Sequence, residues 1–111
     1  MYIPFRPRGG YQRYGEKKMK NAINWFDIPV SDYSRALRFY NTILDVELKE
    51  QEFNGSMMAM LPCNEQEGVG GALMQGEDAK PSQDGVTIYL NGGDDLAPIL
   101  ERVGTAGGNV T

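Results

Sequence analysis

From Ile23 the chain alternates between apolar and polar positions. Phe26, Ile28 and Val30 fall on one side of an extended run, Trp25 and Asp27 on the other, and Pro29 sits near its end. A period of two predicts a half-buried strand over 23–30. Ser31 or Asp32 follows as a helix cap. Ala36, Phe39, Tyr40 and Ile43 then recur at helical spacing, the stripe that packs a helix onto a sheet, with Arg35 and Arg38 off it. Asp45 ends that helix. Residues 46–53 set Val46 and Leu48 among charged positions, a strand with one wet face. Asn54-Gly55 is a two-residue hairpin signal, so 56–61 returns as an apolar strand. A polar loop over 62–68 leads to a Gly-rich strand over 69–74. The order to this point is β-α-β-β-β.

The same grammar then begins again. After a polar connection over 75–83, Asp84-Gly85 turns into a second alternating run at 86–90. Asp94-Asp95 is expected to cap a second helix whose stripe is Leu96, Ile99, Leu100 and Val103, packed against 86–90. Pro98 is tolerable in a first helical turn, and Gly107-Gly108 ends the helix. Asn109-Val110-Thr111 reads as the start of a further strand. The pattern is an internal repeat cut short after its second strand and helix. The expected fold class is therefore α+β. A first module spans about 21–75, and the start of a second spans about 84–111, within a domain over 19–111.

Residues 1–18 show neither period. They are rich in Gly, Tyr, Arg and Pro and are expected to form a disordered basic extension. Arg6, Arg8, Arg13, Lys17, Lys18 and Lys20 face only Glu16 among the first 20 residues. Gly15-Glu16-Lys17-Lys18 before Met19 resembles a purine-rich ribosome-binding stretch read in frame, which points to Met19 as the natural start. Pyrimidine-rich codons there would refute that.

Charge and residue usage narrow the chemistry. The whole chain carries −4 although its head is basic, so the body is acidic, which argues against nucleic-acid binding by the domain. No apolar run approaches the roughly 20 residues of a membrane span, and the first 20 residues lack the apolar core of a secretory leader. The lone Cys63 permits no internal disulfide, which suits a reducing, cytoplasmic setting. There is no His, so the commonest general base and the commonest metal ligand are both missing. Cys63 therefore has no His to activate it as a nucleophile. Gly68-Val69-Gly70-Gly71 lacks the Lys-Ser/Thr of a phosphate loop and precedes no helix. Glu47, Glu50 and Glu52 read as a solvated charge run, and Asn54-Gly55-Ser56 and Asn109-Val110-Thr111 match a glycosylation sequon without any sign of secretion.

The run Ile23-Asn24-Trp25-Phe26-Asp27-Ile28-Pro29-Val30-Ser31-Asp32, followed by Arg35-Ala36 and Phe39-Tyr40, resembles the opening of vicinal-oxygen-chelate domains. That superfamily contains glyoxalases, bleomycin-resistance proteins and extradiol dioxygenases. Asp94-Asp95-Leu96, Val103 and Ala106-Gly107-Gly108 resemble the start of its second module. The resemblance implies two βαβββ modules curled around a shared cleft, of which this chain supplies the first and the opening strand and helix of the second. It also implies a divalent metal held by His and Glu on the first and last strands of each module. Position by position, those ligands fall near Trp25, on Ala72-Leu73-Met74, near Thr87 or Ile88, and past Thr111. None is a good ligand for Zn, Fe, Mn or Ni, so no bound metal and no other cofactor is expected.

The candidate ligand-binding residues are Trp25 and Asp27 on one strand, and Thr87 and Tyr89 on the other. An aromatic wall beside a carboxylate suits a small organic ligand, including a cationic one. The alternative is a packing Trp with a solvated Asp, and burial of Thr87 and Tyr89. Met57, Met58, Met60 and Met74 line either an adaptable pocket or, more simply, the core. No catalytic residue is assigned. Three readings follow: a metal-free protein that sequesters a small molecule, a metal-dependent lyase or dioxygenase with missing ligands, and a partial, non-enzymatic dimerising domain. An unpaired strand edge at 86–90 predicts a homodimer with a shared cleft.

Overall fold

The computed structural model describes residues 21–64 and 66–111. The extension expected over 1–18, and Met19 itself, lie outside the described residues. Four strands and two helices follow in the order β1 (Trp25–Pro29), α1 (Tyr33–Leu44), β2 (Lys49–Phe53), β3 (Ser56–Met60), β4 (Gly70–Met74) and α2 (Ala97–Thr105). The sheet order is β1-β4-β3-β2. β1 and β4 run parallel, while β4, β3 and β2 are antiparallel neighbours. The βαβββ module is thus formed, in an α+β fold with a mixed sheet.

Local chemistry accounts for the element ends. Asp32, not Ser31, caps α1: its carboxylate accepts the Arg35 amide at 3.1 Å. Asp45 closes the helix with φ 53°, and the Asp45 and Val46 amides donate to Thr42 and Asn41 carbonyls. The cap thereby uses Val46, so β2 starts at Lys49 rather than at 46. The Asn41 side chain accepts the Leu48 amide at 2.9 Å and ties the helix end to the incoming strand. Asn54 and Gly55, with φ 50° and 80°, make the expected tight hairpin between β2 and β3.

Among the described residues, helix packs on one face of the sheet. Val30, Leu48, Ala59, Leu61 and Leu73 form the core beneath α1. Phe26, Ile28, Ala36, Leu37, Tyr40 and Leu44 pack against it. The helix stripe is rotated from the expected one. Ala36 and Tyr40 do face the core, but Leu37 and Leu44 join them. Phe39 and Ile43 belong to a different contact: a Cβ on Gly108 would meet the Phe39 ring at 2.5 Å, and the Ile43 carbonyl accepts from Arg102 at 3.2 Å. α1 therefore uses two faces, one on the sheet and one on α2.

The second repeat departs from expectation. Residues 86–90 form no strand among the described residues, and all five are exposed. Alternation gives a chain the side chains of a strand, but a strand also needs a neighbour's backbone. α2 forms as expected, starting at Ala97, whose amide donates to Asp95 at 3.0 Å; the capping position is Leu96, with no side-chain bond. Gly107, at φ 92°, ends α2, and the Gly108 amide donates to the Val103 carbonyl at 2.8 Å. α2 buries no residue fully and packs on α1 instead of on a sheet of its own.

Candidate ligand-binding face

Strand register fixes what stands on the face away from α1. Trp25 pairs with Gly70, and Asp27 with Ala72, which also pairs with Met60; Met60 in turn pairs with Lys49. The next row runs Pro29, Met74, Met58 and Gln51. Because partners in a sheet share a face, these rows form one surface. It carries an aromatic and a carboxylate at the β1 edge, small residues at the centre, and thioethers beyond them.

At the β1 edge the Trp25 indole N–H donates to the Asp27 carboxylate at 2.9 Å. That bond fixes the ring against the strand, while Trp25 stays 39% exposed. A glycine at position 70 is required by the ring. A Cβ there would lie 2.9 Å from Cys63 Sγ and 3.2 Å from Trp25 Cζ3, so the indole and the thiol both approach the bare backbone at Gly70. Cys63 itself is exposed.

Trp25, Met60 and Cys63 line a cavity of about 740 Å³, together with Glu47 and Lys49. Asp27 and Met74 line another of about 920 Å³, which Phe53 and Ser56 also reach. Thr87 and Tyr89 lie elsewhere, beside Phe26, Leu61 and Gly71 in a cavity of about 540 Å³. Tyr89 is 90% exposed even there. The fold thus brings Trp25 and Asp27 into contact, and Thr87 and Tyr89 into a common cavity, but the two pairs line different cavities. A smaller cavity of about 330 Å³ separates the start of α1 from the end of α2.

The methionines divide by parity. Met58, Met60 and Met74 share the open face with Trp25, whereas Met57 is on the α1 side of the sheet, near the start of β3, and exposed. Only the separation within β3 was legible in the sequence: alternation from the Asn54-Gly55 hairpin sets Met57 apart from Met58 and Met60, whereas Met74 and Trp25 join them through pairing of distant strands.

The shifted ionisations lie on the other face. The Tyr33 hydroxyl is pushed up to about 12, chiefly by burial, then by the hydrogen bond it donates to Glu50 at 2.9 Å and by that carboxylate's charge. Burial raises Tyr40 as well. Tyr40 also reaches the cavity that Asp27 lines.

The positions within the chain that the family resemblance assigns to metal ligands fall near Trp25, on Ala72-Leu73-Met74, and near Thr87 or Ile88. Among the described residues, no three His, Cys, Asp or Glu side chains are gathered where they could hold a metal ion. These residues do not fit a Zn, Fe, Mn or Ni centre. Also among the described residues, no helix is long and apolar enough to cross a membrane.

No curated protein and no solved structure matches the chain. The family model described as the Glyoxalase/Bleomycin resistance protein/Dioxygenase superfamily matches residues 22–111, from just before β1 to past α2, and the chain belongs to that superfamily.

Proposed function

We propose that the chain is a metal-free small-molecule-binding member of the superfamily, one that sequesters its ligand rather than transforming it. The observation that carries this reading is the Trp25–Asp27 pair on the open face of the sheet, an aromatic surface held by its own carboxylate beside Gly70. A flat organic group can lie on the indole, and a cationic one gains from both the ring and Asp27. Thr87 and Tyr89 are a separate ligand contact, in the cavity they share beside Phe26, Leu61 and Gly71. The residues at the family's metal positions support binding without metal-assisted chemistry.

We further propose that the chain works as a homodimer in the cytoplasm. Among the described residues β1 and β2 are the edges of the sheet, and Val86, Ile88 and Leu90 remain exposed. Such edges and apolar positions favour pairing with a second copy.

Thermal shifts with a library of small organic molecules, run beside metal analysis of the purified protein, test the reading. Stabilisation by a related set of compounds, without a stoichiometric metal, is the expected result. Tightly held Zn, Fe, Mn or Ni surviving dialysis would restore the lyase or dioxygenase reading. The absence of any shift would leave a dimerising domain without a ligand. Light scattering at micromolar concentration tests the dimer, and a cooperative monomer would refute it.

A further inference from the structure

By strand register the open face carries three methionines, to which the proposed function assigns no role. Met58 and Met74 are direct partners across β3 and β4, and Met60 stands two residues from Met58, opposite Ala72. All three are half-buried. Partnered side chains on one face start about 4.5–5.5 Å apart at Cβ. Residues two apart on a strand start roughly 6.6 Å apart. A methionine has three rotatable bonds and a long reach, so the sulfurs can meet over the space between them. Ala72 marks that space. It has no exposure, although neither helix covers its face, and its neighbours there are Asp27, Met60, Met74 and Gly70.

We propose that Met58, Met60 and Met74 form a thioether site for a soft monovalent cation, Cu(I) or its mimic Ag(I). Thioether sulfur is a soft donor that selects Cu(I) over harder divalent ions. It carries no proton, so nothing need be released for the metal to bind, unlike a thiol. Asp27 stands two strands from Met60 in the row Asp27, Ala72, Met60 and Lys49, and Lys49 is the direct partner of Met60, so selectivity for the cation rests on the sulfurs and not on local charge. The site is separate in kind from the family's divalent centre, which needs His or carboxylate ligands. It stands whether or not an organic ligand lies on Trp25.

The test uses the full chain with Cys63→Ser, which removes the thiol as a competing ligand, and Ag(I) as the probe. Calorimetry at pH 5.5 should show saturable binding of one Ag(I) per chain. Met60→Leu or Met74→Leu in that background should weaken it by no less than the roughly tenfold that loss of an outer-shell partner costs. Met57→Leu, across the sheet, should leave it unchanged. Methyl NMR on the unsubstituted methionines gives a readout independent of variant folding: Ag(I) should move the Met58, Met60 and Met74 methyl signals and not that of Met57. Loss of all binding with Cys63→Ser, or equal effects of Met57→Leu and Met60→Leu, would overturn the proposal.

Discussion

Residues 25–74 and residues 86–105 carry the same kinds of pattern, an alternating run followed by a capped amphipathic helix, yet they end in different states. In the first region the alternating run becomes β1, pairs with β4 and shares a buried core with α1. In the second, 86–90 stays unpaired among the described residues, and α2 has no buried residue. The first region holds its own hydrogen-bond partners, because the hairpin and the 62–69 loop return β3 and β4 to it. The second has a helix that α1 can accept but no sheet neighbours. A helix satisfies its own backbone and needs only a surface, whereas a strand needs another strand.

Substitutions in the first region should therefore be costly where those in the second are mild. Leu73 is fully buried at the centre of the sheet. Leu73→Ala should cost about 2–5 kcal/mol in urea unfolding, the range for large-to-small core changes. A loss below about 1 kcal/mol would show that the core is not where the fold places it.

Gly71→Ala comes next. A Cβ there would meet the Phe26 ring at 2.5 Å, so Phe26 must leave its place under α1. Overpacking of this kind costs about 1–3 kcal/mol. Gly76→Ala, where a Cβ meets nothing within 4 Å, serves as the contrast and should stay within about 0.5 kcal/mol. Equal effects at the two positions would break the argument.

Leu100→Ala sharpens the comparison from the other side. Leu100 is 51% exposed on α2. Removing a side chain that is only half buried should cost about 1 kcal/mol or less, well short of a core leucine. The sequence pattern alone, with Leu100 packed on a strand at 86–90, implies a larger loss. A measured cost of about 3 kcal/mol would show that α2 covers a sheet in solution, most directly through a second copy of the chain.

The smallest expected effect is a pH dependence. Tyr33 titrates from an ordinary value of 10.0 in the unfolded chain to about 12 in the fold. Its contribution is complete below pH 10 and is lost as the pH rises through about 12, because the unfolded chain releases its proton first. Stability should fall across that window, and Tyr33→Phe should flatten the fall without abolishing it, since burial raises Tyr40 too. An unchanged profile in Tyr33→Phe would remove the Tyr33–Glu50 bond from the account.

Legibility in the sequence followed the same division. The βαβββ order, the Asn54-Gly55 turn, the Asp45 stop and the Gly107-Gly108 end are local signals, and the fold uses each of them. The start of β2 was not legible, because Val46 looks like a strand residue until the helix cap claims its amide. The division of α1 between sheet and α2 was hidden as well, since Phe39 and Leu37 are equally apolar and only tertiary packing separates them. At the site, parity placed Trp25 and Asp27 on one face, but their direct hydrogen bond, the thiol over Gly70 and the shared face of the three methionines depend on register between distant strands. The separation of Thr87 and Tyr89 from that pair depends on 86–90 finding no sheet partner.

The chain has a single tryptophan, so its fluorescence reports on the candidate face alone. The most direct measurement titrates the full chain with 1-methylquinolinium, a flat organic cation, and with the neutral isostere 1-methylnaphthalene. The account predicts saturable quenching of Trp25, tighter for the cation, with that preference reduced in Asp27→Asn. Quenching that rises without saturation for both compounds, unchanged by Asp27→Asn, would contradict it.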